Sequence, residues 1–156
     1  MNTTIALKLG EVLAFTRVGK ESIDKGKEVL GEVLHEDKIE KISADFDLFA
    51  QKIEALAKAD DVTGDVSTKA RETEEKVRSM REIYLADGWD DESEVLEWMG
   101  FSTGAVLVHW YLLAGAAEAL QHAELTQLTT EALEFYTSFF TTDEKTLKKL
   151  GAQKVS

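Results

Sequence analysis

The stretch WMGFSTGAVLVHWYLLAGAA, from Trp98 to Ala117, decides the fold of this chain. It contains no Asp, Glu, Lys or Arg, although the whole chain has a net charge of -12, and Glu97 and Glu118 bound it. A segment that is long and apolar on all sides is either a helix enclosed by other helices or a helix in a lipid bilayer. We expect the first, with this helix at the centre of a helical bundle.

Three features of the same stretch speak against a membrane. His109 lies at its centre, Ser102 and Thr103 lower its hydrophobicity, and neither end carries a Lys or Arg to set an orientation. The other helices have apolar stripes that need this segment as their core. The N-terminus has no basic region and too short an apolar run for a signal peptide. We therefore predict a soluble, cytoplasmic protein with no membrane partner.

Composition limits the class of protein. The chain has 156 residues, no proline and no alternation of apolar and polar residues over a strand length, which predicts a single all-α domain, 1–156. Its 30 acidic and 18 basic residues disfavour a nucleic-acid partner, because a polyanion would be repelled. The absence of cysteine excludes disulfides, thiolate metal sites and cysteine nucleophiles.

Apolar residues at spacings of three and four predict five long helices and one short one. The predicted ranges are Thr4–Leu34, Asp37–Ala59, Ser67–Ala86, Glu92–Leu120, Ala123–Phe140 and a short helix Thr141–Leu150. Asp37 and Asp91, each followed three residues later by Glu, are predicted to cap the second and fourth helices. The clearest loop is Asp60–Asp65, and Gly151 is a candidate for the residue that ends the last helix.

Glycines on helix faces predict close contacts. Gly19 and Gly26 lie on the apolar stripe of the first helix, where we expect a tight crossing, in the first place with the helix that holds Trp98–Ala117. Gly100 and Gly104 form a second small-residue pair on that helix, which we expect to mark a crossing with the first helix or with a second subunit. The same glycines could instead leave a cavity for a small apolar ligand.

Two long helical hairpins, joined by about 30 residues that contain a further helix, resemble the ferritin-like four-helix bundle. The segment Ala116-Ala117-Glu118-Ala119-Leu120, followed by Leu125 and Leu128, is also similar to the second hairpin of that superfamily. The resemblance implies an antiparallel four-helix bundle with an extra helix in the crossover, followed here by a short C-terminal helix. It also implies a metal site, because di-iron members carry Glu on two helices and Glu-x-x-His on the other two.

The chain departs from that metal-binding pattern. Its one Glu-x-x-His motif, Glu32-Val-Leu-His35, falls at a helix end, and no Glu lies between Glu97 and Glu118. A complete di-iron site is therefore not expected. A reduced site would form where carboxylates converge on a histidine, and it would suit zinc, manganese or iron. The candidate ligands are His109, Glu11, Asp45, Glu74 and Glu134. We favour the other interpretation of His109, a neutral histidine within the core.

No nucleophile–base arrangement, phosphate-binding loop or dinucleotide fingerprint is present. The leading hypothesis is therefore a protein that is non-enzymatic and self-associating. The weak apolar stripe of the third helix cannot cover the apolar faces of both the fourth and the fifth, and a homodimer would supply the missing cover. The alternative is a ferritin-like metal-binding protein with the reduced site.

Overall fold

The computed structural model describes residues 1–156 and is all-α. It contains six helices, which are α1 (Thr3–Lys25), α2 (Lys27–Leu30), α3 (Glu36–Ala59), α4 (Thr63–Leu85), α5 (Glu92–Leu120) and α6 (Ala123–Lys154). A single 3-10 turn, Gly88–Asp90, precedes α5. One hydrophobic core joins all six helices, so the helices form one packed bundle.

The central helix of the bundle is α1, which packs against α3, α4 and α5. The prediction that the helix with Trp98–Ala117 would be central is therefore wrong. That helix, α5, packs against α6, α1 and α4 but leaves one side uncovered. The physical reason is that α1 buries small residues such as Ala6, Gly10 and Ala14, which let neighbouring helices approach it closely.

Ion pairs show the relative directions of the helices. Arg17 donates to Glu74 (2.7 Å), and Arg78 donates to Glu21 (2.6 Å). Residue numbers rise together in these two pairs, so α1 and α4 run parallel. On the other side of α1, Lys20 pairs with Asp47 of α3. Arg17 also pairs with Glu54. Since one number rises as the other falls, α1 and α3 are antiparallel.

A contact between their ends also gives the relative direction of α5 and α6. Lys154 of α6 donates to Ser93 at the start of α5, so these two helices are antiparallel. Across the core, the Tyr136 hydroxyl lies 3.0 Å from Thr16 Oγ1, and Thr16 donates its own proton to the Val12 carbonyl. Tyr136 therefore donates to Thr16, and this buried hydrogen bond joins α6 to the central helix.

Several predicted boundaries are confirmed and others are wrong. The range Glu92–Leu120 is confirmed, with Asp91 accepting hydrogen bonds from Ser93 N and Glu94 N as the cap. Asp37 lies inside the first turn of α3 and caps nothing. The first helix is interrupted at Gly26, where α1 ends and α2 begins.

The predicted break between two C-terminal helices is absent, because α6 continues from Ala123 to Lys154. Gly151, which was expected to end the last helix, lies inside it. The third long helix begins at Thr63, four residues before the predicted start. Leu147 and Leu150 pack on the core, which explains why the last turns of α6 stay helical.

The closest contact between a glycine and the backbone of another helix is at Gly10, which the sequence did not indicate. A Cβ at Gly10 would lie 2.7 Å from the Val66 carbonyl oxygen of α4. The space beside Gly19 is filled by the Phe46 ring of α3, and the space beside Gly26 by Val95 of α5. The expectation of a crossing with α5 is therefore met at Gly26 alone. These two glycines of the first helix leave no interior cavity.

Candidate functional site

The structure brings together two of the predicted metal ligands. Glu11 of α1 and His109 of α5 lie side by side, with Oε2 of the carboxylate 3.1 Å from Nδ1 of the imidazole. His109 Nδ1 has no aligned hydrogen bond, so the two side chains are in close contact without one. Two lysines share the same carboxylate, Lys8 at 2.5 Å and Lys69 at 3.5 Å.

The environment keeps Glu11 ionised and His109 neutral. Burial raises the pKa of Glu11, but the hydrogen bond and charge of Lys8, together with His109 and Lys69, outweigh it and hold the pKa below its ordinary value. Burial lowers the pKa of His109, and the nearby Glu11 carboxylate only partly opposes that shift. With two ammonium groups beside it, Glu11 is already neutralised, which disfavours a divalent cation there.

The other three predicted ligands lie elsewhere. Glu74 is bound by Arg17 and Arg78 in the α1–α4 contact, and Asp45 pairs with Lys41 on the surface of α3. Glu134 is exposed on α6 beside the α3–α6 groove. The structure thus does not bring the five residues to one point. No group of three or more His, Asp and Glu side chains is arranged to hold a metal ion.

The most distinctive surface of the molecule is the uncovered side of α5, here called the α5 face. It consists of Phe101, Gly104, Val108, Tyr111, Leu112 and Gly115. The exposed fractions of its four large side chains are 51% for Phe101, 60% for Val108, 61% for Tyr111 and 56% for Leu112. A Cβ on Gly104 or Gly115 would meet nothing within 4 Å, so both glycines face open space. No charged residue interrupts this surface.

The opposite side of α5 carries the core. Trp110, Val106 and Leu113 are almost completely buried, and Trp98 packs with Tyr84 of α4 and Phe101 in an aromatic cluster. By length and composition α5 could cross a bilayer, with a mean hydropathy of 1.2 in its most apolar window, of which 28% is buried in the bundle. The enclosed helix that the sequence indicated would have most of that window buried.

An apolar groove lies between α3 and α6. It measures about 490 Å³ and is lined by Phe49, Phe135 and Phe139, with Lys38 and Lys41 at its edge. The Lys52–Glu131 ion pair separates it from a second groove of about 330 Å³. Both are open surface grooves, and neither lies at the glycines where the sequence suggested a cavity.

One buried titratable group was missed by sequence reasoning. Asp143 of α6 is only 3% exposed, and its Oδ1 has no hydrogen-bond partner. Burial, together with the negative charge of Glu97, raises the pKa of Asp143 to about 7. The available signal was a single Asp at a position continuing the apolar stripe of α6 after Tyr136 and Phe139. The predicted helix break at Thr141 hid that signal.

Comparisons with family models, curated proteins and solved structures give no match for this chain. The class of protein that the described residues define is an all-α helical bundle.

Proposed function

We propose that this protein functions as a soluble homodimer, formed through the α5 face, and that it acts by interaction and not by catalysis. The observation that carries the proposal is the uncharged stripe from Phe101 to Gly115, with four large apolar side chains more than half exposed. Exposed apolar patches that continue without a charge are characteristic of interaction sites. The chain as a whole has a net charge of -12, so an uncharged stripe of this length on α5 stands apart from the rest of the sequence.

A second copy of the chain is the occupant that we favour. The surface from Phe101 to Gly115 is about 21 Å long at 1.5 Å per residue, and a two-fold related copy would present the same length of apolar surface. Tyr84 of α4, which is exposed and stacks on Phe101, adds apolar area beside it. The net charge of -12 repels an anionic membrane and a second copy alike, so the apolar contact between two copies has to outweigh that repulsion.

The test is the molar mass in solution, measured by light scattering after size-exclusion chromatography at low and high micromolar concentration. We expect the wild type to be a dimer and Val108→Glu to be a monomer, since a carboxylate at the centre of the α5 face would be buried without a partner. Leu48→Glu is the matched control, because Leu48 is 47% exposed on α3 and the change adds the same charge. It should remain dimeric.

A monomeric wild type at high micromolar concentration would contradict the proposal. In that case flotation of the protein with neutral and anionic vesicles would show whether the α5 face binds lipid instead. Circular dichroism of each variant separates loss of the dimer from loss of the fold. The cytoplasmic location belongs to the same proposal.

The ferritin-like arrangement is part of the proposal as an architecture only. It is supported by the antiparallel hairpins α1–α3 and α5–α6 and by α4 within the crossover. The metal-binding alternative has one supporting observation, the contact between Glu11 and His109. Mass spectrometry of metals in protein purified without a His tag tests it. Stoichiometric zinc, manganese or iron that is lost in His109→Ala would support that alternative.

A further inference from the structure

The α5 face has the residue spacing of a helix–helix seam. Phe101, Gly104, Val108, Tyr111 and Gly115 follow one another at intervals of three, four, three and four. This alternation is the one by which two helices pack side chains of one into gaps of the other along a shallow left-handed crossing. The uncovered side of α5 is therefore apolar and also has the residue spacing required for contact with another long helix.

Along the seam, large residues on one side of Val108 stand at the same distance as small residues on the other side. Phe101 and Gly115 lie seven residues before and after Val108. Gly104 and Leu112 lie four residues before and after it, with Tyr111 adjacent. Phe101 and Leu112 thus each have a glycine at the same distance on the other side of Val108, and Tyr111 has Ala105 there. A glycine with open space in front of it is a hole that an aromatic ring can occupy.

We infer that two copies pack α5 against α5 in antiparallel orientation, with the two-fold axis beside Val108. This inference rests on the proposed homodimer and specifies its geometry. In this arrangement Phe101 of each copy lies over Gly115 of the other. Leu112 of each copy lies over Gly104 of the other, and Tyr111 lies over Ala105. A parallel pair would instead set Phe101 against Phe101 and glycine against glycine, which leaves a clash beside a void.

Charge at the end of the seam favours the same orientation. Glu97 lies one turn before Phe101 on the same side of α5 and is exposed. In a parallel pair the two Glu97 side chains would meet each other across the axis, and like charges that face each other are destabilising. In the antiparallel pair Glu97 lies opposite Ala119 of the second copy, which is also exposed. Glu118 then lies at the flank of the contact.

The absence of cysteine makes a clean test possible, because each engineered cysteine is the only thiol in its chain. Three single variants are needed: Val108→Cys, Phe101→Cys and Gly115→Cys. In the antiparallel pair the two copies of residue 108 lie next to the axis and can form a disulfide. The two copies of residue 101 are then separated by about 21 Å along the seam, far beyond disulfide range.

We expect oxidation with copper phenanthroline to link Val108→Cys almost completely, and Phe101→Cys or Gly115→Cys alone only at the background rate. A mixture of these two variants, one carrying a size tag, should give the mixed disulfide dimer. Leu48→Cys, exposed on α3, measures the background of random collisions. Far-UV circular dichroism and the dimer mass before oxidation confirm that each variant is folded and associated.

The alternatives give different patterns. If Phe101→Cys and Gly115→Cys each link efficiently on their own, the pair is parallel and the inference is overturned while the proposed dimer stands. If light scattering shows a dimer but no seam cysteine links above the Leu48→Cys background, another surface forms the dimer and the inference is again overturned. A monomer in every variant and in the wild type overturns the proposed function as well.

Discussion

The carboxyl group of Asp143 lies in the space that Gly100 leaves by having no side chain. A Cβ on Gly100 would be 2.5 Å from Asp143 Oδ2, so the close packing of α5 against α6 depends on this pair. The same contact shields the carboxyl group from water, with Oδ1 left without a hydrogen-bond partner. Packing and titration are therefore coupled at one position of the α5–α6 contact.

We expect Gly100→Ala to destabilise the fold by roughly 1–3 kcal/mol, because the added methyl group forces the Asp143 side chain or the helix to move. Thermal and urea unfolding measure the change. Gly151→Ala is the control, since that helical glycine of α6 has nothing within 4 Å of its Cβ position and the change should stabilise slightly. In an Asp143→Ala background, Gly100→Ala should cause no clash. If Gly100→Ala lowers the stability equally in that background and in the wild type, this explanation is contradicted.

We expect Asp143→Asn to stabilise the protein at pH 8 by about 1–3 kcal/mol and to change little at pH 4. The pKa of Asp143 is about 7 in the fold and near 3.8 in the unfolded chain. Below pH 4 both forms are neutral. Between about pH 4 and pH 7 the unfolded chain releases this proton while the folded protein keeps it, so the free energy of unfolding falls with rising pH across that window and levels off above pH 7.

The check is urea unfolding of wild type and Asp143→Asn at several values between pH 4 and pH 8. Asp45→Asn, on the surface of α3, serves as the control for removing a carboxylate that is partly exposed. A difference between wild type and Asp143→Asn that stays constant across the pH range would show that Asp143 does not titrate as described.

His109 should give the opposite dependence on pH. Burial holds its pKa below the ordinary 6.5, so the unfolded chain takes up a proton first and stability falls as the pH drops below 6.5. We expect His109→Gln to lessen that loss by a few tenths of a kcal/mol between pH 6.5 and 5, a small effect because the site is partly open to solvent. His35→Gln is the control for removing an exposed imidazole, since His35 lies at the surface just before α3.

The boundaries of α5 were predictable because local chemistry sets them. Asp91 offers a cap, and no proline or charge interrupts the apolar run from Trp98 to Ala117. Which helix is central was not predictable, since an apolar segment does not show which of its sides is covered. The tight contact at Gly10 was missed for a similar reason: it lies beside the stripe and depends on where α4 passes.

The candidate site was also predictable only in part. The exposed seam is present in the sequence as a pattern of Phe101, Gly104, Val108, Tyr111 and Gly115, but its exposure depends on tertiary packing. The sequence offers Glu11 as a candidate neighbour of His109, and the two side chains are in contact. That Arg17 and Arg78 bind Glu74 could not be anticipated, because those arginines lie on helices whose relative direction was unknown.

We expect Gly10→Ala to destabilise the fold more than Gly100→Ala does, by roughly 2–3 kcal/mol or more. At Gly10 the added methyl group would meet the Val66 carbonyl oxygen at 2.7 Å, which is backbone and cannot rotate away as a side chain can. Gly64→Ala in the first turn of α4, with nothing within 4 Å, is the matched control. Chemical denaturation of all three variants ranks them, and a Gly10→Ala protein as stable as wild type would show that α1 and α4 can separate freely.

The buried hydrogen bond between Tyr136 and Thr16 gives an asymmetric pair of variants. Tyr136→Phe removes the donor and leaves Thr16 bonded to the Val12 carbonyl, so we expect a loss of about 1 kcal/mol. Thr16→Val leaves the Tyr136 hydroxyl buried without its acceptor, and the loss should reach roughly 2 kcal/mol. The double variant should cost less than the sum, since neither polar group then remains unpaired. Strictly additive losses in urea unfolding would show that the two side chains do not interact in solution.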